Sequence, residues 1–250
     1  MIAGLRLAMG FLTVIPVGSP DIRRVRLAML FAPLAVLPVA LLAALGGWAT
    51  SRIGVPLTLS GVLVVGLIAL GTRAMHLDGV ADTVDGLGSG KPAEDALEIM
   101  RRGDIGPMGV VALVLVLAAE ALAAGVVLAR PWGWLQLAVL IAVSRGALAL
   151  GCARGVPSAR PDGLGALVAG SVPRVAAATT WVVWTAALVA SGVLAGQSWW
   201  WPLVGVAVVL LMAFWLVGLA TRRLGGISGD VLGALVELSA AVLLVVATIP

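Results

Sequence analysis

Long apolar runs separated by short polar segments make up most of this chain. A membrane-spanning helix needs about 20 apolar residues, and seven runs reach that length, at residues 27–49, 55–75, 107–129, 132–152, 176–196, 199–220 and 231–249. The pattern predicts an all-α, polytopic integral membrane helix bundle with about seven transmembrane helices, in a single domain over residues 1–250. Residues 1–18 contain a shorter apolar run, so we expect that segment to be embedded in the membrane or to lie at its interface.

The overall composition supports this interpretation. Hydrophobic residues make up 61% of the chain and charged residues 11%, with a mean hydropathy of +1.14, whereas soluble domains have about 25% charged residues. The net charge is +4, but the basic residues are dispersed among loops and form no patch, so we expect the lipid bilayer as a partner and no nucleic acid. Cys152 is the single cysteine and has no intrachain disulfide partner.

The basic residues also predict an orientation in the membrane. With the N-terminus in the cytoplasm, thirteen Lys and Arg residues fall on the cytoplasmic side, Arg52 and Arg130 fall on the outer side, and Arg145 lies within a span. Cytoplasmic loops of membrane proteins are enriched in Lys and Arg. The asymmetry predicts a multi-pass protein of the cell membrane whose polar motifs face the cytoplasm.

One acidic segment stands out, HLDGVADTVDGLGSG at residues 76–90. On an ideal helix Asp78, Asp82 and Asp85 lie within about 60° of one another, at positions i, i+4 and i+7. Neighbouring like charges weaken a helix unless a positive charge lies between them. A divalent cation satisfies this need, and the apolar flanks disfavour the alternative of a solvated acidic surface. The spacing therefore predicts one coupled metal site.

The next polar segment predicts a short helix at the membrane surface. Pro92 suits a first helical position, Arg101 and Arg102 suit the last turn, and Gly103 suits the end. This helix is equally compatible with an amphipathic connector and with a direct catalytic role for its acids.

Two glycine-rich segments follow later in the chain, PSARPDGLGALVAG at residues 157–170 and LGGISGDVLGA at residues 224–234. Glycines let backbone N–H groups approach phosphate oxygens, although a flexible loop has the same composition. The first segment contains Arg160, and the second places Asp230 where the last span begins.

Charged residues within predicted spans are costly in lipid, so they should face the bundle interior or a cavity. Glu120, Arg145 and Glu237 are such residues. Glu237 follows Asp230 by seven positions, on the same helix face and about 10 Å deeper. Glu120 and Arg145 are candidates for a structural pair.

These segments together resemble the cobalamin synthases, the membrane adenosylcobinamide-GDP ribazoletransferases. HLDGVADTVDGL at residues 76–87 is similar to the family's most characteristic motif, and three further blocks occur in the family's order: FLTVIPV at 11–17, IMRRGDIGPMG at 99–109 and GGISGDVLGALVE at 225–237. Residues 102–104 depart from the charge order that is frequent in the family. The resemblance covers essentially the whole sequence.

The resemblance implies a reaction in which GDP-activated adenosylcobinamide is joined to α-ribazole, or to its 5′-phosphate, with Mg²⁺ and with release of GMP. The product would be adenosylcobalamin or its phosphate. Combined with the acidic helix face, it gives a hypothesis in which Asp78 and Asp82 bind Mg²⁺ and Asp85 binds the metal or acts as general base. The substrate-binding candidates are His76, Arg101, Arg160, Ser228 and Asp230.

Two other functions are compatible with parts of the sequence. CDP-alcohol phosphotransferases also align aspartates on a membrane helix, but their motif has an arginine close to the position of Asp82 and wider spacing of the last aspartates. A transporter would use the charged residues within the spans, but no inverted repeat is evident. The sequence is compatible with a monomer or a homo-oligomer.

Overall fold

A computed structural model describes residues 1–18 and 22–250. In these residues the chain forms a short 3-10 helix at Ile22–Arg24 and twelve α-helices. The helices are α1 Ile2–Leu12, α2 Val25–Arg52, α3 Leu57–Gly71, α4 Met75–Gly88, α5 Ala93–Ile99, α6 Pro107–Leu128, α7 Gly133–Ser144, α8 Ala147–Gly151, α9 Gly163–Val168, α10 Arg174–Leu194, α11 Trp201–Leu224 and α12 Gly229–Ala247. The prediction of an all-α fold is confirmed.

The described residues contain six helical segments that are long and apolar enough to cross a membrane. A seventh span results if the bent pair of α3 and α4 is counted as one. The six are Ile22–Arg52, Pro107–Leu128, Gly133–Gly151, Arg174–Leu194, Trp201–Leu224 and Gly229–Ala247. These findings confirm a polytopic membrane bundle with about seven spans.

The second predicted span, residues 55–75, differs from the observed structure. The helix α3 ends at Gly71, and the chain bends by 91° before α4 begins at Met75. Between them Arg73 and Ala74 have φ values of 55° and 53°, in the left-handed region that non-glycine residues rarely occupy. The acidic segment therefore lies on a separate helix, nearly perpendicular to α3.

The N-terminal segment forms α1, which packs against α2. Gly4 permits the close approach, because a Cβ atom at this position would lie 2.4 Å from Cβ of Leu27. After α1 the backbone N–H of Val14 donates to the carbonyl of Gly71, at 2.9 Å. The segment is thus fixed beside the bend that precedes α4.

The helices α4 and α12 cross in close contact, which brings residues from the middle and the end of the sequence together. A Cβ atom on Gly79 would lie 2.6 Å from the carbonyl oxygen of Asp230, and one on Gly233 would lie 3.3 Å from Cα of His76. Only a residue without a side chain fits at Gly79, so the acidic motif packs directly on the first turn of α12.

The surface helix predicted after the acidic motif is shorter than expected. Pro92 precedes α5, and Arg101 and Arg102 lie beyond its end at Ile99. Met100 is buried and packs against Gly86 of α4. The apolar side of this segment is therefore held against the acidic helix.

Candidate functional site

The acidic face of α4 lies against α12 and forms the centre of the site. Asp82 is 8% exposed, whereas Asp78 is exposed and Asp230 is partly buried. The negative charges of Asp78 and Asp230 act unfavourably on an ionised Asp82, and the positive charge of Arg160 offsets them in part. Neither Asp78 nor Asp82 accepts a hydrogen bond from any residue that the structure describes, so their carboxylates are free to bind a cation.

Asp85 has a different environment from the other two aspartates. Its Oδ2 accepts a hydrogen bond from the backbone N–H of Gly106 at 2.7 Å, and its Oδ1 accepts one from Gly109 at 2.9 Å. These donors belong to the N-terminus of α6, whose first N–H groups have no partner within the helix. The two hydrogen bonds of Asp85 therefore connect α4 to the N-terminus of α6.

The three aspartates were expected to form a single metal site, and the described residues show Asp85 in a different environment from Asp78 and Asp82. The described residues contain no group of three or more His, Cys, Asp or Glu side chains placed to hold a metal ion. Asp85 does not point toward the other two aspartates, because both of its carboxylate oxygens accept hydrogen bonds from the N-terminus of α6. A metal role for Asp78 and Asp82 stays a prediction.

A polar cavity of about 180 Å³ lies beside Asp230. The backbone pairing that forms it joins the two glycine-rich segments, since Ala159 N–H donates to the carbonyl of Ile227 and Ile227 N–H donates to that of Pro157, each at 2.9 Å. The polar and glycine residues that line this cavity include Ser158, Arg160, Gly165, Ser228, Gly229 and Asp230.

Three of the predicted substrate-binding residues, Arg160, Ser228 and Asp230, line this polar cavity and also have structural partners. Arg160 donates a hydrogen bond from Nη2 to the carbonyl of Leu97, while its buried Nε has no partner among the described residues. Ser228 caps α12, because its Oγ accepts from the N–H of Val231 at 3.3 Å and donates to Oδ2 of Asp230 at 3.1 Å. The cavity thus combines a cation, a hydroxyl and a helix N-terminus, which are groups that bind phosphate.

A second cavity, of about 260 Å³, lies on the other side of Asp230 and is mostly apolar. His76 lines it, is 4% exposed, and has no hydrogen-bond partner for either ring nitrogen in the described part of the chain. Its apolar walls come from α1, α4, α8, α9 and α12, through Phe11, Leu12, Met75, Leu148, Leu164 and Leu232. Asp78 borders the same cavity.

Arg101 is the one predicted substrate-binding residue that the structure leaves away from both cavities. It follows the end of α5, is exposed, and lines neither cavity. The helix that was expected to hold it ends at Ile99, two residues earlier. A phosphate contact for Arg101 stays a prediction that neither cavity supports.

The charged residues within the spans lie in the bundle interior, as expected. Glu120, Arg145 and Glu237 are each at least 95% buried and line one small cavity of about 20 Å³. Arg145 donates from Nη1 to the carbonyl of Ile141 at 3.0 Å and to Oγ of Ser144 at 2.8 Å. In the described chain it forms no ion pair within 4.0 Å, and its Nη2 lacks a partner. The cavity has room for about one water molecule to bridge these groups.

Sequence reasoning did not find every residue of the site. Phe11 and Leu12 belong to the FLTVIPV block, whose role was not predicted, and Leu164 lies in a segment interpreted as a phosphate loop. Their apolar side chains have no distinctive spacing. The clearest available signal was the block itself, which resembles a motif of the family and begins at Phe11.

The fold and the site define a polytopic membrane protein in which Asp230 lies between a polar cavity and an apolar one. A family described as cobalamin-5-phosphate synthase matches residues 4–248, and the chain belongs to this family. Its relatives include adenosylcobinamide-GDP ribazoletransferases from Nocardioides sp., 41% identical over 94% of each chain, and from Frankia casuarinae, 37% identical over 98% of this chain and 94% of the relative. A third, from Bradyrhizobium diazoefficiens, is 39% identical over 99% and 94%. No solved structure matches the chain.

Family membership does not favour the two alternative functions. The match extends over nearly the whole chain, including the acidic helix and the last span. The family match therefore favours the ribazoletransferase over a CDP-alcohol phosphotransferase or a transporter.

Proposed function

We propose that this chain is the membrane transferase that joins adenosylcobinamide-GDP to ribazole and releases GMP. The proposal rests on the names of the relatives and on one structural observation in particular. Asp230, from the last helix, lies beside the acidic face of α4 and borders both the polar and the apolar cavity. Such a site could place the diphosphate of one substrate and the hydroxyl of the other at a shared carboxylate.

The reaction forms one phosphorus–oxygen bond and breaks another. The hydroxyl oxygen of ribazole attacks the phosphorus that carries adenosylcobinamide, and the bond from this phosphorus to the bridging oxygen of the diphosphate breaks. GMP leaves with the bridging oxygen, and the hydroxyl proton passes to a base. The family description, cobalamin-5-phosphate synthase, fits ribazole 5′-phosphate as the acceptor, while the relatives' names fit either form.

The donor set of the site fits Mg²⁺ without a third carboxylate. Mg²⁺ usually binds to one or two protein carboxylates together with substrate phosphates and water. Asp78 and Asp82 have carboxylates without hydrogen-bond partners in the described chain, and they lie within electrostatic range of Asp230, which lines the polar cavity. When bound, the ion would neutralise the charge of the diphosphate. Asp78 and Asp82 would hold it, whereas Asp85 would keep α4 and α6 in place.

The residues around Asp230 would bind the donor phosphate and position the attacking hydroxyl. Arg160 would bind a phosphate of the donor, because this residue lines the polar cavity and its buried Nε has no partner in the described chain. Ser228 would hold the carboxylate of Asp230 in position through their hydrogen bond. Asp230 would contact the attacking hydroxyl, since it borders both cavities.

The site would act at the cytoplasmic face of the cell membrane. The distribution of basic residues supports this side, because the loops that build the polar cavity contain Arg154, Arg160 and Arg174 and follow the positive-inside rule. Nucleotide-activated substrates made in the cytoplasm would then reach the site directly.

The experiment that tests the function is a turnover assay of the purified protein in lipid vesicles. Adenosylcobinamide-GDP, ribazole and Mg²⁺ are supplied, and GMP and the corrinoid product are quantified by mass spectrometry, with each substrate omitted in turn as a control. We expect equal amounts of the two products only when both substrates are present. GMP without the joined corrinoid would indicate a hydrolase, and no GMP under any condition would refute the proposal.

A further inference from the structure

Apart from Asp78 and Asp230, the residues that line the apolar cavity have no role in the phosphate chemistry. We infer that this cavity binds the aromatic base of the acceptor, an inference that rests on the proposed function. Ribazole is a ribose carrying a dimethylbenzimidazole, which is a flat, apolar, two-ring group. A cavity of about 260 Å³ lined by Phe11, Leu148, Leu164 and Leu232 suits such a group, because ligand pockets are mostly apolar with a few placed polar atoms.

The N-terminal segment provides one wall of this cavity. Phe11 and Leu12 stand at the end of α1, and the residues that follow are anchored. Thr13 Oγ1 donates to the carbonyl of Met9 at 2.6 Å, and Val14 is hydrogen-bonded to Gly71. The FLTVIPV block would thus hold the side chains of Phe11 and Leu12 against the acceptor.

His76 supplies the polar group that such a pocket needs. Its ring is buried and has no partner at either nitrogen among the described residues, and an unpaired buried polar group costs free energy. A benzimidazole has one ring nitrogen with a free lone pair, which accepts a hydrogen bond from an imidazole N–H. The base would therefore pair with one of the two unpartnered nitrogens of His76, which lines the same cavity.

The position of the two cavities orients the acceptor for reaction. Leu164, Gly229 and Asp230 line both of them and form the wall between. With the base in the apolar cavity and the diphosphate at the polar one, the ribose would lie at this wall beside Asp230. Its hydroxyl would then face the phosphorus, so the arrangement explains why two cavities of different polarity adjoin.

Kinetics of variants at Phe11 test the inference. Phe11→Trp fills the cavity, and Phe11→Leu makes a smaller apolar change in case the first variant is unstable. Met9→Ala is the matched control, because Met9 lies about 200° from Phe11 on α1 and does not line the cavity. We expect the KM for ribazole to rise about tenfold or more for the tryptophan variant and less for the leucine variant. The KM for adenosylcobinamide-GDP should change less than about twofold, as should both constants for the control.

The possible outcomes separate this inference from the proposed function. If the wild-type protein turns over but the Phe11 variants leave the KM for ribazole unchanged, or raise the KM for the donor, the base does not bind in this cavity. If the wild-type protein releases no GMP, the proposed function fails. Calorimetric titration with ribazole then decides the inference by itself: weaker binding to Phe11→Trp than to Met9→Ala supports it, and equal binding refutes it.

Discussion

The structure indicates that Asp85 is a structural carboxylate and not a metal ligand. The substitution Asp85→Asn tests this role. In the native chain the two oxygens of Asp85 each accept one backbone N–H from the start of α6, at 2.7 and 2.9 Å. An asparagine retains one acceptor oxygen and places an NH₂ group against the second N–H. The variant thus loses one charge-assisted hydrogen bond, and its NH₂ group faces a backbone N–H, so that two donors point at each other.

The expected loss of stability follows from this count. A hydrogen bond to a charged group contributes about 1.5–3 kcal/mol, so the free energy of unfolding should fall by about that amount. For a protein of this size 1 kcal/mol corresponds to about 2–4 °C in Tm, which gives a decrease of about 3–12 °C. Asp95→Asn is the matched control, because Asp95 is an exposed acid on α5 and should leave Tm unchanged.

The assay combines thermal unfolding in detergent with the Mg²⁺ dependence of GMP release. We expect Asp85→Asn to lower Tm while the Mg²⁺ concentration for half-maximal activity stays close to the wild-type value. An unchanged Tm together with a higher Mg²⁺ requirement would show that Asp85 is a metal ligand, and our reasoning about its two backbone bonds would be wrong.

Two further predictions concern close contacts inside the bundle. Gly79→Val should lower GMP release at least about tenfold, because a Cβ atom would lie 2.6 Å from the carbonyl oxygen of Asp230. Gly66→Val is the control, because nothing lies within 4 Å of a Cβ atom at that position. Equal activity of both variants would contradict the expected clash. Arg145→Leu should lower the free energy of unfolding by about 3–5 kcal/mol, since it leaves buried carboxylates without their nearby cation. Adding Glu120→Gln should recover part of that loss, and strictly additive effects in the double-mutant cycle would show that the two residues do not interact.

Hydrophobic periodicity was sufficient to predict the spans but not the bend between α3 and α4. The bend depends on Arg73 and Ala74 in the left-handed region, and neither residue has a preference for that conformation that a sequence pattern would reveal. Glycine or asparagine would have been the usual signal. Tertiary contacts, among them the bond from Val14 to Gly71, set this geometry.

The site could be predicted in its chemistry but not in its arrangement. The spacing of Asp78, Asp82 and Asp85 indicated a shared helix face, yet helical spacing does not say which neighbour each carboxylate meets. Asp85 meets the N-terminus of α6, more than 20 residues away along the chain. The approach of Asp230 to α4 depends on a glycine crossing at Gly79 that only the folded structure reveals.

The most direct test of the account compares the Mg²⁺ dependence of Asp82→Asn with that of Asp95→Asn in the vesicle assay. Asp82 is buried on the acidic face and has no hydrogen-bond partner among the described residues. Its replacement should therefore raise the Mg²⁺ concentration for half-maximal GMP release by at least about tenfold, or abolish release, with Tm no lower than that of wild type. The control should behave as wild type. An Asp82→Asn variant with wild-type turnover and an unchanged Mg²⁺ requirement would contradict the account.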